Sequence, residues 1–467
     1  MNDIIANVAS AIWTPVLFLI IFGGLFFLFY SRFIQYRYFG HAINVLRGKF
    51  NNPQDPGQIN AYQALSTNLA STVGMGNIAG VAVAITIGGP GALFWMWVTA
   101  IVGMATNFFT SSLAVMYRGR DSAGEIQGGP MYVIREALGR RWLPLAYLFA
   151  VCCLVGCLPI FQANQLTQIL FDVTIMSPEW KAATLTVAGY PISTAKLVIG
   201  VVLMTAAGIV ILGGIKRIGY WAGNMVPLMV VVYFFSVLVI LILNFSQVPE
   251  YFLLIFTDAF AADHFNGDAA LGGVLGGLIV TGVRRASFSN EAGIGTAPMA
   301  LGASKSRQPI REGLVSMLSP VIDTLLVCTL TALAILVTGV WKTSTSDGVT
   351  LTMHAFDASL GRIGRWALLL SAFFFAVTSL FAYSYYGSKA MAFIAGVKSA
   401  RYYEYFYLIS IVVAAVVPLA TVINIIDISF ALMAIPTMVS AFVLAPQVMR
   451  EARKYFDELS ANEHPRR

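Results

Sequence analysis

The chain has 467 residues, 58% of them hydrophobic and 11% charged, with a formal net charge of +7. A soluble domain of this size usually carries about a quarter charged residues, so the composition excludes an ordinary water-soluble globule. The surplus positive charge lies between apolar runs, which points to membrane topology and not to nucleic acid.

A helix needs roughly 20 mostly apolar residues to cross the hydrocarbon of a bilayer. Trp13 to Tyr30, Leu197 to Leu212 and Met225 to Leu243 meet or approach that length. Every backbone polar group inside the bilayer must be satisfied within the protein, so these segments are expected to be helices. The short alternating strands of a membrane barrel are absent. In chain order the apolar pattern predicts eleven spans: 12–31, 59–87, 91–117, 143–171, 196–213, 218–245, 270–300, 313–341, 364–394, 403–420 and 425–448.

The first segment has no basic n-region, only Asp3 ahead of the apolar run, and is expected to be retained as a span rather than cleaved as a signal peptide. The second and seventh spans are interrupted near their middles, at Gly74-Met75-Gly76-Asn77 and at Thr281-Gly282-Val283-Arg284. Cys152, Cys153, Cys157 and Cys328 all fall in apolar segments and none has zinc-type spacing with histidine. They read as small membrane-embedded side chains.

Most of the 29 Lys and Arg residues fall on one side if the N-terminus faces out. Only Lys181, Lys196, Lys342, Arg362 and Arg365 remain outside, with Arg284, Arg285 and Lys389 counted inside although they border or enter spans. The positive-inside rule then predicts an outer N-terminus and a cytoplasmic C-terminus.

The two interrupted spans are five spans apart, so 59–245 and 270–448 form two groups of similar length and opposite orientation. Segment 1–58 supplies an extra first helix and a cytoplasmic link, and 449–467 a cytoplasmic tail. Glycine-interrupted spans at matching positions of inverted halves are the sequence sign of a transporter site. The bland reading is that glycines let helices pack closely. The expected fold is an all-α membrane protein with a five-plus-five inverted repeat and one added N-terminal helix.

At Ser71-Thr72-Val73-Gly74-Met75-Gly76-Asn77, two glycines weaken the helix by about 1 kcal/mol each relative to Ala. Unwinding exposes carbonyls at the end of one half-helix and N–H groups at the start of the next. The N–H end suits a carboxylate, and the carbonyl end suits Na⁺ or an ammonium. One broken helix can therefore hold both ends of a zwitterion. Asn77 either supports this site or bridges helices as polar glue.

Gln162 and Asn164 in the fourth span are further lining candidates, against a rival reading as interhelical hydrogen bonds. Thr378-Ser379 in the ninth span place two hydroxyls together, suited to a hard cation, although such hydroxyls often bond their own helix backbone. Tyr383, Tyr385 and Tyr386 follow as an aromatic cluster or an interfacial belt. Glu291, Asp323 and Asp427 are the few acids inside spans, where acids mark functional positions or interhelical pairs. His41, His264, His354 and His464 fall in loops or tails, which argues against a His-based proton relay. No HExxH, GxSxG or Walker A motif occurs, so neither an enzyme nor an ATP-driven pump is expected.

Thr72-Val-Gly-Met-Gly-Asn-Ile-Ala-Gly80, Gly88-Gly-Pro-Gly-Ala92 with Phe94-Trp-Met-Trp97, Gln127-Gly-Gly-Pro-Met-Tyr132 and Ser289-Asn-Glu-Ala-Gly-Ile-Gly-Thr-Ala-Pro298 resemble the alanine or glycine:cation symporter family. Asp323-Thr324, Cys328-Thr329 and Ser384-Tyr-Tyr-Gly387 extend the resemblance, which runs from about residue 15 to 450. It implies a leucine-transporter-type fold and a bacterial inner-membrane protein carrying a small neutral amino acid, alanine or glycine, with Na⁺ as coupling ion and no other cofactor.

It further implies a substrate site at Gly74, Met75, Gly76, Asn77, Gln162, Thr281, Gly282 and Tyr383. A sodium site would use Ala70, Val73, Phe375, Thr378 and Ser379. Asn290, Glu291 and Asp323 are gating or coupling candidates, the Ser289–Pro298 stretch being expected near the cytoplasmic end of its span. The chain departs from the family pattern at Tyr383, where a Trp is usual, and at Ser388, where a Glu is usual; the first leaves room for serine or glutamine as substrate. The chain is expected to function as a monomer. Rival readings are a proton-coupled carrier using Asp323 or Glu291, and a passive channel.

Overall fold

The computed structural model describes residues 2–50, 52, 54–173, 178–187, 190–261 and 274–463. His264, His464 and residues 270–273 lie outside these. Among the described residues, eight helices are long and apolar enough to cross a membrane, and Ala61–Thr72 with Gly76–Gly88 make a ninth candidate bent by 45°. The seventh and tenth expected spans stand as Val274–Asn290 followed by Ala297–Leu301, and as Val397–Val416. The former is cut short by its break. The latter begins with Lys398, Arg401 and Glu404, which lower its apolar character.

Local chemistry fixes several ends. Asn60 caps Ala61–Thr72 with a reciprocal capping box to Gln63, satisfying two of the free N–H groups at the helix start. The helix ends at Val73, ahead of Gly74, and a single π-turn at Gly76–Gly80 restarts the chain into Val81–Gly88. We call these the two halves of the first broken helix. The ninth expected span is part of a longer helix, Gly348–Ala395, kinked at Gly361, whose positive φ of 58° suits glycine. The last helix, Leu419–Glu463, continues beyond the apolar run into the tail.

Small residues bring the central helices together. The Gly76 backbone lies against the Phe288 ring, and Gly282 sits directly on Trp95 and the Ala92 carbonyl of helix Ala92–Met116. The Gly348–Ala395 helix packs on the first broken helix and on Gly214–Leu243. The first helix, Asn2–Tyr30, lies outside this group against the last helix and Ala92–Met116.

The structure corrects two expectations. Residues 281–284 are regular helix, and the chain leaves helical geometry at Glu291, so the second break spans 291–296, about three turns later than expected. Arg285 also does not belong with the loop charges. It is buried and forks onto Asp427 of the last helix, at 2.6 and 2.5 Å, while Trp13 donates its indole N–H to the Asp427 carbonyl at 2.9 Å. This pair ties the second broken helix (Val274–Asn290 with Ala297–Leu301) to the last helix and, through Trp13, to the first.

Candidate functional site: the meeting of two broken helices

At the first break, the Gly74 N–H donates to the Asn77 side-chain oxygen at 2.8 Å, so Asn77 holds the unwound loop in shape. Its amide nitrogen donates to the Asp323 carboxyl at 2.6 Å and to the Asp323 carbonyl at 3.1 Å. The other Asp323 carboxyl oxygen accepts from the hydroxyls of Ser289 and Thr324, both at 2.7 Å. Asp323 thus links the first break, the second broken helix and its own π-turn segment Val321–Cys328, with both oxygens acting as acceptors. Asn290, beside Ser289, donates to the Thr324 hydroxyl at 3.0 Å and accepts from the Ala292 N–H at 3.0 Å.

The second break faces the first through Glu291. Its backbone φ of 54° is in the left-handed region, which non-glycine residues rarely adopt, and Gly293 and Gly295 continue the non-helical path. Strain of this kind collects where a fold over-determines a functional geometry. The Glu291 carboxyl is fully buried and accepts hydroxyls from three elements: Ser71 at 3.2 Å, Thr296, and Tyr383 of the long helix. Tyr386 closes the cluster by bonding Ser71 at 3.2 Å. Glu291 therefore sits where the second break meets the first broken helix.

Three of the expected sodium ligands, Phe375, Thr378 and Ser379, lie on one face of the long helix. A Cβ added at Gly74 would collide with the Ser379 hydroxyl, so the unwound loop lies directly on Ser379. Ser379 donates to the Phe375 carbonyl at 2.9 Å, and Thr378 donates to the Phe374 carbonyl at 2.8 Å. This is the ordinary back-bonding of hydroxyls in a helix. A hydroxyl that donates in this way still has oxygen lone pairs for a cation. Ala70 and Val73, at the end of the first half-helix, are fully buried.

Among the substrate candidates, Met75 and Gly76 are buried at the break, where the second half-helix presents its first N–H groups. Gln162 is 2% exposed, and its side-chain oxygen has no hydrogen-bond partner among the described residues. Its neighbour Phe161 packs edge-on against Phe288 at 4.7 Å, which sets Gln162 beside the second broken helix. One turn away, Gln165 caps the long helix by accepting from the Val349 N–H at 3.0 Å. Asn164, Gln165, Gln168, Lys196 and Asp347 line a polar cavity of about 480 Å³ there. Thr281 and Gly282 are not part of the cluster. They pack on Gly88, Ala92 and Trp95, where Gly282 serves close backbone approach.

Sequence reading gave no individual site role to Ser71, Ser289 or Thr296, and left Tyr386 as part of an aromatic cluster or an interfacial belt. The signal was present in Ser71-Thr72 just before the glycines and in the Glu291-x-Gly-x-Gly295 pattern. It also missed Arg118, which donates to the carbonyls of Gly302, Ser304 and Ser306 at 2.9, 2.6 and 2.7 Å. Burial pulls the Arg118 guanidinium below its usual pKa, opposed by nearby Glu312 and Asp55. Beside it, Gln58 donates its N–H to the Ala303 carbonyl at 2.8 Å and Lys305 donates to the Ile59 carbonyl at 2.6 Å. The start of the first broken helix and the end of the second are thereby clamped together.

The sodium:alanine symporter family model matches residues 1–467. The chain belongs to the sodium:alanine symporter family. It is 36% identical over 470 residues to the sodium/alanine symporter AgcS of Methanococcus maripaludis, covering 99% of this chain and 98% of that protein. It is 31% identical over 468 residues to the probable sodium/glutamine symporter GlnT of Bacillus subtilis, covering 100% and 93%. In fold it is similar to MhsT, solved in complex with L-phenylalanine, with a TM-score of 0.59 at 13% identity over 83% of this chain and 89% of that one. The protein is thus a multi-pass membrane transporter with a leucine-transporter-type fold, and not an enzyme.

Proposed function

We propose that this sodium:alanine symporter family member carries a small neutral amino acid, alanine or glycine, together with Na⁺ by alternating access. The observation that carries the reading is the Ser71–Glu291 contact of 3.2 Å, which joins the last turn of the first half-helix, just ahead of its unwound loop, to the unwound second break at one buried point. In this reading the N–H groups at Met75 and Gly76 take the substrate carboxylate. The carbonyl-rich second break, with Glu291, takes its ammonium, and the unpartnered Gln162 oxygen supplies a further acceptor. Na⁺ is held by the carbonyls of Ala70, Val73 and Phe375 and the hydroxyls of Thr378 and Ser379. Since the Gly74 loop lies on Ser379, filling that site stiffens the same loop that receives the substrate, which gives coupling a physical route. Tyr383, held by Glu291, bounds the pocket where a Trp is usual in the family. That narrower, more polar wall is compatible with serine or glutamine as well.

The reading includes eleven spans, an inverted pair of halves at 59–245 and 270–448, an outer N-terminus and cytoplasmic C-terminus in a bacterial inner membrane, and action as a monomer. A second reading, proton coupling, is favoured by one observation: Glu291 and Asp323 are fully buried carboxyls at the crossing itself. Uptake of labelled L-alanine into proteoliposomes separates the two. The expected result is accumulation above equilibrium with an inward Na⁺ gradient, none with K⁺ in its place, and competition by glycine. Uptake that persists without Na⁺ at acid pH assigns coupling to protons, and no uptake of either amino acid in any gradient overturns the substrate.

A further inference from the structure

One turn along the long helix from Tyr386 stands Lys389, 5% exposed, with no hydrogen-bond partner for its ammonium nitrogen among the described residues. The nitrogen stands over the face of the Tyr385 ring, 4.4 Å from the centroid. A cation over a ring gains about 0.5–2 kcal/mol, far less than the several kcal/mol that burying an unpaired charge costs.

Lys389 lines a cavity of about 260 Å³, which it shares with Gln127, Ser384, Tyr385, Ser388 and Glu404. The Tyr385 hydroxyl and the Gln127 side-chain oxygen are also buried and unpartnered. Asp121 and Glu125 also line the cavity, and Asp121 is already engaged by the N–H groups of Ala123 and Glu125 and by the Gln127 amide. Glu404 also lines the cavity, bonded weakly to Ser388 at 3.5 Å. A water takes up roughly 30 Å³ of liquid volume, so the space admits a solute the size of alanine.

We propose that this cavity is a second binding site for the amino acid on its cytoplasmic exit path, with Lys389 taking the carboxylate and Glu404 the ammonium. The inference rests on the carrier reading above for the identity of the solute. Its geometry is that of a waiting counter-charge: the single long helix that touches Glu291 through Tyr383 places Lys389 within two turns of it. Substrate leaving the central cluster toward the cytoplasm meets an unneutralised amine before reaching water.

Calorimetric titration of the purified full-length protein with propionate in Na⁺-free buffer tests the site without relying on transport. Saturable millimolar binding is expected in wild type, retained in Lys389→Arg, weakened at least tenfold in Lys389→Gln, and missing with propionamide. In proteoliposomes, Lys389→Gln is expected to raise the half-saturation constant for amino-acid efflux at least fivefold more than that for uptake. Absence of propionate binding, equal binding in Lys389→Gln, or stronger binding of inorganic phosphate than of propionate, which assigns the cavity to phosphate or a lipid headgroup, overturns the proposal. An equal change on both faces removes it from the exit path. Propionate binding without Na⁺-driven uptake of any neutral amino acid keeps the site and overturns the function instead.

Discussion

Exchanging Asn77 and Asp323 tests whether the first break is held by the hydrogen bonds described here. Asn77→Asp keeps the acceptor for the Gly74 N–H but replaces a two-pronged donor by an oxygen facing the Asp323 carboxyl at 2.6 Å and its carbonyl at 3.1 Å. The bond to a carboxylate is worth about 1.5–3 kcal/mol and the bond to a neutral carbonyl about 1 kcal/mol. The loss of both is about 3 kcal/mol or more, and each 1.4 kcal/mol is tenfold. If the shaped break is what binds substrate, the slope of L-alanine uptake against concentration falls about 100-fold. The double variant Asn77→Asp/Asp323→Asn reverses the donor and acceptor. Asn at 323 then donates to Asp at 77, while its oxygen still accepts from Ser289 and Thr324. Only the bond to the backbone carbonyl stays lost, which leaves a deficit of about 1 kcal/mol, or roughly fivefold. The assay is initial uptake in proteoliposomes, normalised to reconstituted protein, with the fraction surviving a heat step on size-exclusion chromatography as a substrate-independent check. A double variant no better than Asn77→Asp, or an Asn77→Asp protein equal to wild type in both readouts, would refute the reasoning.

Thr378→Ala removes one of five proposed Na⁺ ligands and is expected to raise the Na⁺ concentration for half-maximal uptake at least tenfold, with Thr378→Ser within threefold of wild type; equal shifts in both variants would sink the hydroxyl's role. Asp427→Asn leaves Arg285 buried without its partner, beside Arg284 in sequence, which costs about 3–5 kcal/mol. Its heat-step survival should fall clearly, and Asp427→Asn with Arg285→Met should recover most of it; a single variant as stable as wild type means the pair is not buried as described.

The spans were legible because the bilayer imposes one length and one chemistry on them, and Trp13 to Tyr30 or Met225 to Leu243 carry that signal without help from neighbours. The first break was legible for a related reason. Gly74 and Gly76 flank Met75 inside an apolar run, and no other short-range feature explains their place. Helix ends inside longer helices were not legible. The start at Gly348 depends on capping by Gln165, a residue far away in sequence, and the kink at Gly361 on a left-handed backbone conformation that a glycine permits but does not announce.

The misplacement of the second break shows where sequence reasoning stops. Thr281-Gly282 and Glu291-x-Gly-x-Gly295 both interrupt an apolar run with glycine and polar residues. In isolation the earlier pair is the better match to the middle of a 270–300 span. Gly282 is explained by a neighbour: the Ala92 carbonyl and Trp95 occupy the place where its Cβ would stand. Gly293 and Gly295 are explained by their own backbone, with φ of 81° and 109°. Glycine for close packing and glycine for unwinding are identical as letters and differ only in three dimensions. What distinguishes them in the sequence is the acid. An unwound stretch leaves polar backbone groups and donors that a buried carboxyl can face, as Glu291 faces Ser71, Thr296 and Tyr383. A packed helix crossing such as that at Gly282 has no use for one. An acidic residue adjoining glycines inside an apolar run is therefore the stronger mark of a break than glycine alone.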